Sequence, residues 1–250
     1  MNILVIDNDA IFLRFAEKFL TDEGHTVLTA GDGLGALDVL KEFSPDIFFI
    51  DYVMPNIDGK SFCRLLRNDP RYKSTYIVLL SAIAAEEWTD LKNIGANACI
   101  AKGPLRHMKG YLSDVLKDPA AAAEHCAEGN IIGLEHVYPR LITKELLDSR
   151  KHFELLMEKM SEGILEVNSD DRVVFANPAA CRVLERDRHS ILGCAMDALF
   201  PDRQISAVKE PVSGKEGAGT AGISDDLVIT GRQYITMKVV PLMSKDNHSL

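Results

Sequence analysis

Five short apolar runs lie in the first hundred residues, and the polar residues that end them constrain the fold more than any other feature. Ile47 to Ile50 follow Ser44 and Pro45 and stop at Asp51. Such short runs are typical of strands buried in a parallel sheet. The other runs are residues 2–6, 26–30, 76–80 and 98–101.

Helical patterns separate the five runs. Their apolar residues recur at the spacing of a helix with one buried face. Strands that alternate with helices predict right-handed crossovers and a doubly wound α/β sheet. The predicted helices are residues 10–23, 32–43, 57–68, 84–94 and 105–116.

Polar side chains stand where four of the runs end, namely Asp7, Asp51, Ser81 and Lys102. Parallel strands place their carboxyl ends at one edge, where open α/β sheets bind ligands, so these side chains are expected to converge. Grouped carboxylates need a cation, and oxygen ligands suit a hard ion such as Mg²⁺. A hydroxyl and an ammonium that face a carboxylate fit phosphoryl transfer. Asp51 would then be the nucleophile and form an aspartyl-phosphate. The alternative for an isolated Asp51 is a charge that merely ends a strand.

In the order and spacing of these strand ends, residues 1 to about 118 resemble a two-component receiver domain. The resemblance implies that Asp51 is the phosphoacceptor, Ser81 the switch hydroxyl and Lys102 the invariant lysine. Met54-Pro55 and Asp58-Gly59 match the loop after the acceptor. A histidine kinase or a phosphotransfer protein is the implied phosphodonor. The implied fold is a five-stranded parallel, flavodoxin-like sheet.

An Mg²⁺ site is also implied by the resemblance, with Asp7, Asn8, Asp51 and the carbonyl of Val53 as ligands. Asn8 stands where the family usually has a second carboxylate. Its amide oxygen is still a ligand for Mg²⁺, but one negative charge is lost and we expect weaker metal binding. The neighbouring Asp9 is expected to point elsewhere.

Two further positions depart from the family. Cys99 stands three residues before Lys102, where an aromatic residue usually turns inward on phosphorylation, and Gly103 separates Lys102 from Pro104. These departures leave the family's usual output face open to question; that face combines the fourth helix, fifth strand and fifth helix. With Asn8, Cys99 also favours an alternative function, a dimerising scaffold that works without phosphorylation.

Residues 119–160 are predicted to be a largely helical linker, with a long helix over 133–160 that is interrupted at Pro139. After that proline, apolar residues follow a heptad spacing that is broken by Ser149, and a parallel coiled coil would make the protein a homodimer. An amphipathic helix that packs on its own domain is the alternative. The apolar positions are Ile142, Leu146, Phe153, Leu156 and Met160.

Residues 161–250 are predicted to form a second, α+β domain, which resembles a PAS domain with an antiparallel sheet. The resemblance rests on a hairpin of 163–168 and 173–176, on the helix start Asn177-Pro178, and on Ile191-Leu192-Gly193. Met196 occupies the place of the reactive cysteine of flavin-binding relatives, so photoadduct chemistry is not expected. A small apolar ligand and no ligand both remain open.

The PAS resemblance calls for one more strand than the chain provides, so we expect a fragment whose output domain would follow residue 250. That output would be a histidine kinase or a cyclic-dinucleotide enzyme, and the chain would then be the N-terminal regulatory part of a hybrid sensor kinase or a similar protein. The chain itself shows no nucleotide-binding glycine loop and is not expected to be an enzyme beyond its own phosphorylation and dephosphorylation.

Charge and composition exclude several classes of protein. A net charge of −9 without a basic stripe argues against nucleic-acid binding. No apolar run approaches the ~20 residues that span a bilayer. The chain enters its first strand at once, which leaves no room for a signal peptide. The five cysteines are odd in number and scattered, as in reduced cytoplasmic proteins.

Overall fold

The computed structural model describes residues 1–82, 94–128, 130–134, 152–153 and 155–200, and the backbone of 224–230 and 233–239. The first unit contains a five-stranded parallel sheet in the order β2-β1-β3-β4-β5. This confirms the predicted flavodoxin-like sheet. The strands are β1 (Asn2–Ile6), β2 (Thr26–Ala30), β3 (Ile47–Asp51), β4 (Tyr76–Ser81) and β5 (Ala98–Ala101).

Strands β3 and β5 are almost wholly apolar because both faces of the sheet are covered there. Every residue of β3 and of β5 is buried. Alternation of polar and apolar residues is absent for this reason, and continuous apolar runs give the strand bounds almost directly.

Four of the five helices described in the first unit begin after carboxylates that accept hydrogen bonds from their first N–H groups, whereas the helix after Pro104 has no such side chain. Asp9, Asp32, Asp58 and Asp118 play this part, as N-cap residues commonly do. The helices are α1 (Ala10–Asp22), α2 (Gly33–Val39), α3 (Gly59–Asn68), α4 (Leu105–Lys117) and α5 (Pro119–Ala127). Here α4 is the fifth helix of the sequence prediction, since residues 84–93 of the predicted fourth helix lie outside the described residues.

Two helices are shorter than predicted. The predicted helix over 32–43 ends at Val39, because Lys41 and Glu42 bond to carbonyls three residues back and tighten the chain into turns. The predicted helix over 57–68 begins only at Gly59. Ile57 lies in the loop before the helix and packs closely on Gly33. A Cβ added to Gly33 would lie 2.8 Å from the Cβ of Ile57.

The first part of the predicted linker packs on the parallel sheet. Ile132 forms a parallel bridge with Ile100 of β5. Gly133 has a φ of +81°, so the predicted helix does not begin there. Residues 135–151 of the predicted linker lie outside the described part of the chain, and residues 152–153 and 155–159 are helical.

The second unit begins with an antiparallel hairpin of β6 (Leu165–Val167) and β7 (Val173–Ala176). Asn177 then caps α6 (Pro178–Leu184), which confirms the predicted Asn-Pro helix start. Two short helices follow, α7 (Arg188–Ile191) and α8 (Met196–Leu199). A second antiparallel pair consists of β8 (Ser224–Thr230) and β9 (Gln233–Val239).

The second unit contacts α2 of the first. The Arg172 guanidinium lies 2.8 Å from the Asp38 carboxylate and also donates to the Gly193 carbonyl oxygen at 2.9 Å. A Cβ at Gly193 would lie 2.7 Å from Leu37 Cδ1. The buried residues of both units form one hydrophobic cluster. Among the described residues, no helix is long and apolar enough to cross a membrane.

Candidate functional site

A lysine joins two buried carboxylates at the carboxyl edge of the parallel sheet. Lys102 Nζ lies 2.8 Å from Asp7 Oδ2 and 3.2 Å from Asp51 Oδ1. Asp7 has no exposed surface and Asp51 is only 5% exposed. Charges this deeply buried persist only when they are paired. The structure therefore brings together three of the four side chains that the sequence placed at this edge.

Ser81 lies at the same edge through the register of β3, β4 and β5. Asp51 is paired with Leu80, and Ser81 is paired with Ala101. The Lys102 N–H donates to the Ser81 carbonyl oxygen at 2.9 Å. Ser81 is thus one residue from the position opposite Asp51, and it is buried.

The loop after Asp51 is folded back tightly at Gly59. A Cβ at Gly59 would overlap the Asp51 carbonyl oxygen, and the Gly59 N–H donates to the Tyr52 carbonyl oxygen at 3.1 Å. Asp58 accepts a hydrogen bond from the Ser61 N–H at 2.7 Å. The Asp58-Gly59 pair thus turns the chain and starts α3, which holds the loop containing Val53 beside Asp51.

The Asp9 side chain points away from the pocket, as the sequence predicted. The Asp9 N–H donates to Asp7 Oδ1 at 2.9 Å, while Asp9 Oδ1 accepts from the N–H groups of Ile11 and Phe12. The Asp9 carboxylate is therefore engaged in capping α1 and points away from the Asp51 pocket. Asn8 is exposed.

Electrostatics leave the pocket short of positive charge. Burial raises the pKa of Asp51 to about 6; Lys102 lowers it and Asp7 raises it further. Burial would lower the pKa of Lys102, yet Asp51 and Asp7 together raise it above its ordinary value. A hard cation beside the two carboxylates would favour their ionised forms.

The donor set fits such a cation, with reduced charge. Among the described residues, no group of three or more His, Cys, Asp or Glu side chains could hold a metal ion. Asp7 and Asp51 would supply the charged oxygens of an Mg²⁺ site, and the neutral oxygens would come from Asn8 and the Val53 carbonyl.

Phe12 is a neighbour of the site that the sequence analysis did not assign. Lys102 Nζ lies 5.1 Å from the centroid of its ring. A cation over an aromatic face is attracted to it, so Phe12 helps to hold the ammonium in place. In the sequence, Phe12 is indistinguishable from the other apolar residues on the buried face of α1.

Comparisons with known proteins match two parts of the chain to two domain families. Residues 3–108 match the family model of the response regulator receiver domain, and residues 151–217 match a PAS domain model. Protein PilG of Pseudomonas aeruginosa is 38% identical over 82 residues, which cover 33% of this chain and 61% of PilG. Response regulator PleD of Caulobacter vibrioides is 40% identical over 81 residues, which cover 32% of this chain and 18% of PleD.

The matched stretch thus spans less than two thirds of either relative. Among solved structures, chemotaxis response regulator CheY4 of Vibrio cholerae is 27% identical with a TM-score of 0.42, and the match covers 46% of this chain and 97% of CheY4. The chain therefore carries a response regulator receiver domain followed by a PAS domain, the components of a two-component signalling protein.

Proposed function

We propose that this protein accepts a phosphoryl group on Asp51 and relays the change through its linker to the PAS domain. One observation carries the proposal: Lys102 lies within 3.2 Å of Asp51 and bridges it to Asp7 in a buried pocket. Phosphoryl transfer depends mostly on positioning and on neutralising charge, and this pocket is arranged for both.

Each residue of the pocket has a distinct part in the proposed reaction. An oxygen of the Asp51 carboxylate attacks phosphorus, and the bond between phosphorus and the donor breaks. Lys102 then neutralises charge on the phosphoryl oxygens, and Ser81 is the hydroxyl that engages them. With a pKa of about 6, Asp51 is mostly ionised at pH 7 and available as a nucleophile.

Mg²⁺ would be held by Asp7, Asn8, Asp51 and the Val53 carbonyl. When bound, it would supply positive charge to the phosphoryl oxygens. The replacement of a carboxylate by Asn8 supports a weaker metal site, so phosphorylation should require a higher Mg²⁺ concentration than in a receiver with two adjacent acids.

The phosphodonor would be a histidine kinase or a phosphotransfer protein that docks around the pocket. Three apolar side chains near it are open to solvent: Ile11 is 70% exposed, Val53 44% and Leu105 38%. Ile11 opens the helix that Asp9 caps, and Leu105 stands three residues after Lys102. Apolar side chains exposed around a polar pocket suit a protein partner.

We also propose that the linker makes the protein a homodimer. Three of the heptad positions lie in the described part of the linker, and all are exposed within one chain: Phe153 by 57%, Leu156 by 54% and Met160 by 38%. A seam of this kind is covered when two such helices pair. The alternative helix packed on its own domain would bury these side chains.

We propose that the protein lies in the cytoplasm, has no nucleic-acid or membrane partner, and has no enzyme activity beyond turnover of its own phosphoryl group. Free thiols support a reducing compartment: Cys63, Cys99, Cys126, Cys181 and Cys194 are all unpaired with one another.

Intact mass spectrometry after treatment with acetyl phosphate in Mg²⁺ tests the proposal. The wild-type protein should gain the mass of one phosphoryl group, and an Asp51→Asn variant should gain none. A second function, a scaffold that works without phosphorylation, is favoured by Asn8 and Cys99. A folded wild-type protein that gains no mass would support the scaffold.

A further inference from the structure

The chain does not leave the receiver domain at the end of α4. After α5, it returns along the outer edge of β5, where the Ile132 N–H donates to the Cys99 carbonyl oxygen at 3.0 Å. The Ala101 N–H donates in turn to the Ile132 carbonyl oxygen at 2.8 Å. We call α5 and residues 131–133 the β5 strap.

Buried side chains and two hydrogen bonds hold the strap against the domain. Ala122, Cys126 and Ile131 are buried in the hydrophobic cluster that also contains the core of the parallel sheet. The Cys99 N–H donates to Cys126 Sγ at 3.2 Å. The Tyr76 hydroxyl donates to the Pro119 carbonyl oxygen at 2.6 Å. The strap is thus held at both of its ends and in its middle.

Gly133 ends the strap at a position that no larger residue fits. Its φ is +81°, and a Cβ there would lie 2.5 Å from Cε2 of Tyr111 on α4. Only glycine adopts this conformation readily without a steric cost. Gly110, also on α4, offers a contrast, since a Cβ there would meet nothing within 4 Å.

The strap satisfies backbone groups that an edge strand otherwise exposes. Three outward groups of β5 have partners in it: the Cys99 N–H, the Cys99 carbonyl and the Ala101 N–H. An open edge invites pairing with another chain. The fifth strand belongs to the face that receiver domains usually use for output, and here that edge is occupied by the protein's own chain.

One peptide bond separates the strap's hydrogen-bond partner on β5 from the lysine of the phosphorylation pocket. Ala101, which bonds to Ile132, directly precedes Lys102, which bonds to Asp51 and Asp7. A phosphoryl group on Asp51 adds negative charge beside the ammonium, and Lys102 must divide its contacts differently. Ala101 and Lys102 share a peptide bond, so a shift of the Lys102 backbone would change the Ala101–Ile132 hydrogen bond.

We propose that the β5 strap is the output element of this receiver: phosphorylation of Asp51 weakens its pairing with β5, and the released strap changes the linker that leads to the PAS domain. This inference rests on the proposed function. It differs from output through an exposed aromatic switch, because the position of that aromatic residue is Cys99, which is buried.

Amide hydrogen exchange of the full chain tests the inference, with beryllofluoride and Mg²⁺ as the phosphoryl mimic. The Ile132 amide should exchange at least tenfold faster when the mimic is bound. The Asp46 amide, which donates to the Asn2 carbonyl oxygen at the opposite end of the sheet, should keep its rate. A Gly133→Ala variant should show fast Ile132 exchange without the mimic, and Gly110→Ala should not.

The outcomes separate the two ideas. Intact mass of the same preparation after acetyl phosphate treatment reports whether Asp51 is phosphorylated. A phosphorylated protein with unchanged Ile132 exchange overturns the strap alone. A folded protein that gains no phosphoryl group overturns the proposed function and the strap together. Fast exchange of the Ile132 amide in Gly110→Ala as well as in Gly133→Ala would also overturn the strap. Gly133 is part of the strap, whereas a Cβ at Gly110 would contact nothing.

Discussion

Replacing Asp51 by asparagine should stabilise the receiver at neutral pH. The pKa of the Asp51 carboxyl is higher in the folded protein than in the unfolded chain, because burial disfavours its charged form. The folded state therefore binds more protons between these two pKa values, and stability falls as pH rises through this window. Asparagine keeps the shape of the side chain and carries no charge.

The pKa shift sets the size of the effect. A rise from 3.8 to about 6 corresponds to about 3 kcal/mol at about 1.36 kcal/mol per unit. This destabilisation is nearly complete at pH 7, has mostly gone by about pH 4 and disappears below about pH 3, where the carboxyl is protonated in both states. Asp51→Asn should therefore raise the free energy of unfolding by about 2–3 kcal/mol at pH 7, and by less than about 1 kcal/mol at pH 4.

Urea denaturation at several pH values, in EDTA to remove divalent cations, measures this difference. Asp38→Asn is the matched control: hydrogen bonding to Lys41, with further help from Arg172, lowers the pKa of Asp38. That variant should gain no stability at pH 7. An Asp51→Asn variant less stable than the wild type at pH 7, or an advantage that does not change between pH 7 and pH 4, would refute the reasoning.

Three further predictions concern the pocket, the surface beside it and the linker. Lys102→Met should lower the free energy of unfolding by about 3–5 kcal/mol at pH 7, because it leaves two buried carboxylates unpaired, and should recover part of the loss at pH 5; urea denaturation measures both. Ile11→Ala should slow phosphotransfer from a donor protein about tenfold but leave labelling by acetyl phosphate unchanged. The control is Leu28→Ala, which alters an exposed leucine on β2 and should change neither rate. Phe153→Ser should weaken dimerisation about 100-fold or more, since about 3 kcal/mol of apolar burial is lost per dimer. The control Val183→Ser should leave dimerisation unchanged. Sedimentation velocity measures both, and a Phe153→Ser dimer as strong as the wild type would contradict the proposed heptad seam.

The parallel sheet was predictable because the burial of each strand is visible in consecutive residues of the sequence. Residues on both faces of β3 contact apolar neighbours, so the run from Ile47 to Ile50 is apolar without interruption, and the polar residue that ends it marks the edge. The meeting of Asp7, Asp51 and Lys102 then follows from the parallel arrangement alone. In both cases the physical cause leaves its mark on adjacent positions of the sequence.

Features that depend on contacts between distant residues were not predictable. Asp58 is a local N-cap signal for the start of α3, but Ile57 stays in the loop through its contact with Gly33, which is distant in the sequence. The strap pairs Ile132 with β5 through two hydrogen bonds, and the Gly-rich sequence around it is typical of a simple break. Phe12 joins the site only because α1 places its ring beside Lys102.

Mapping of the phosphorylated residue tests the central claim most directly. Borohydride reduction of the acetyl phosphate-treated protein converts an aspartyl-phosphate into homoserine, which tandem mass spectrometry locates. We predict conversion at Asp51 in the wild-type protein, dependent on Mg²⁺. Conversion at Asp7 or at another acid, or a phosphoryl group found on Ser81, would contradict the account.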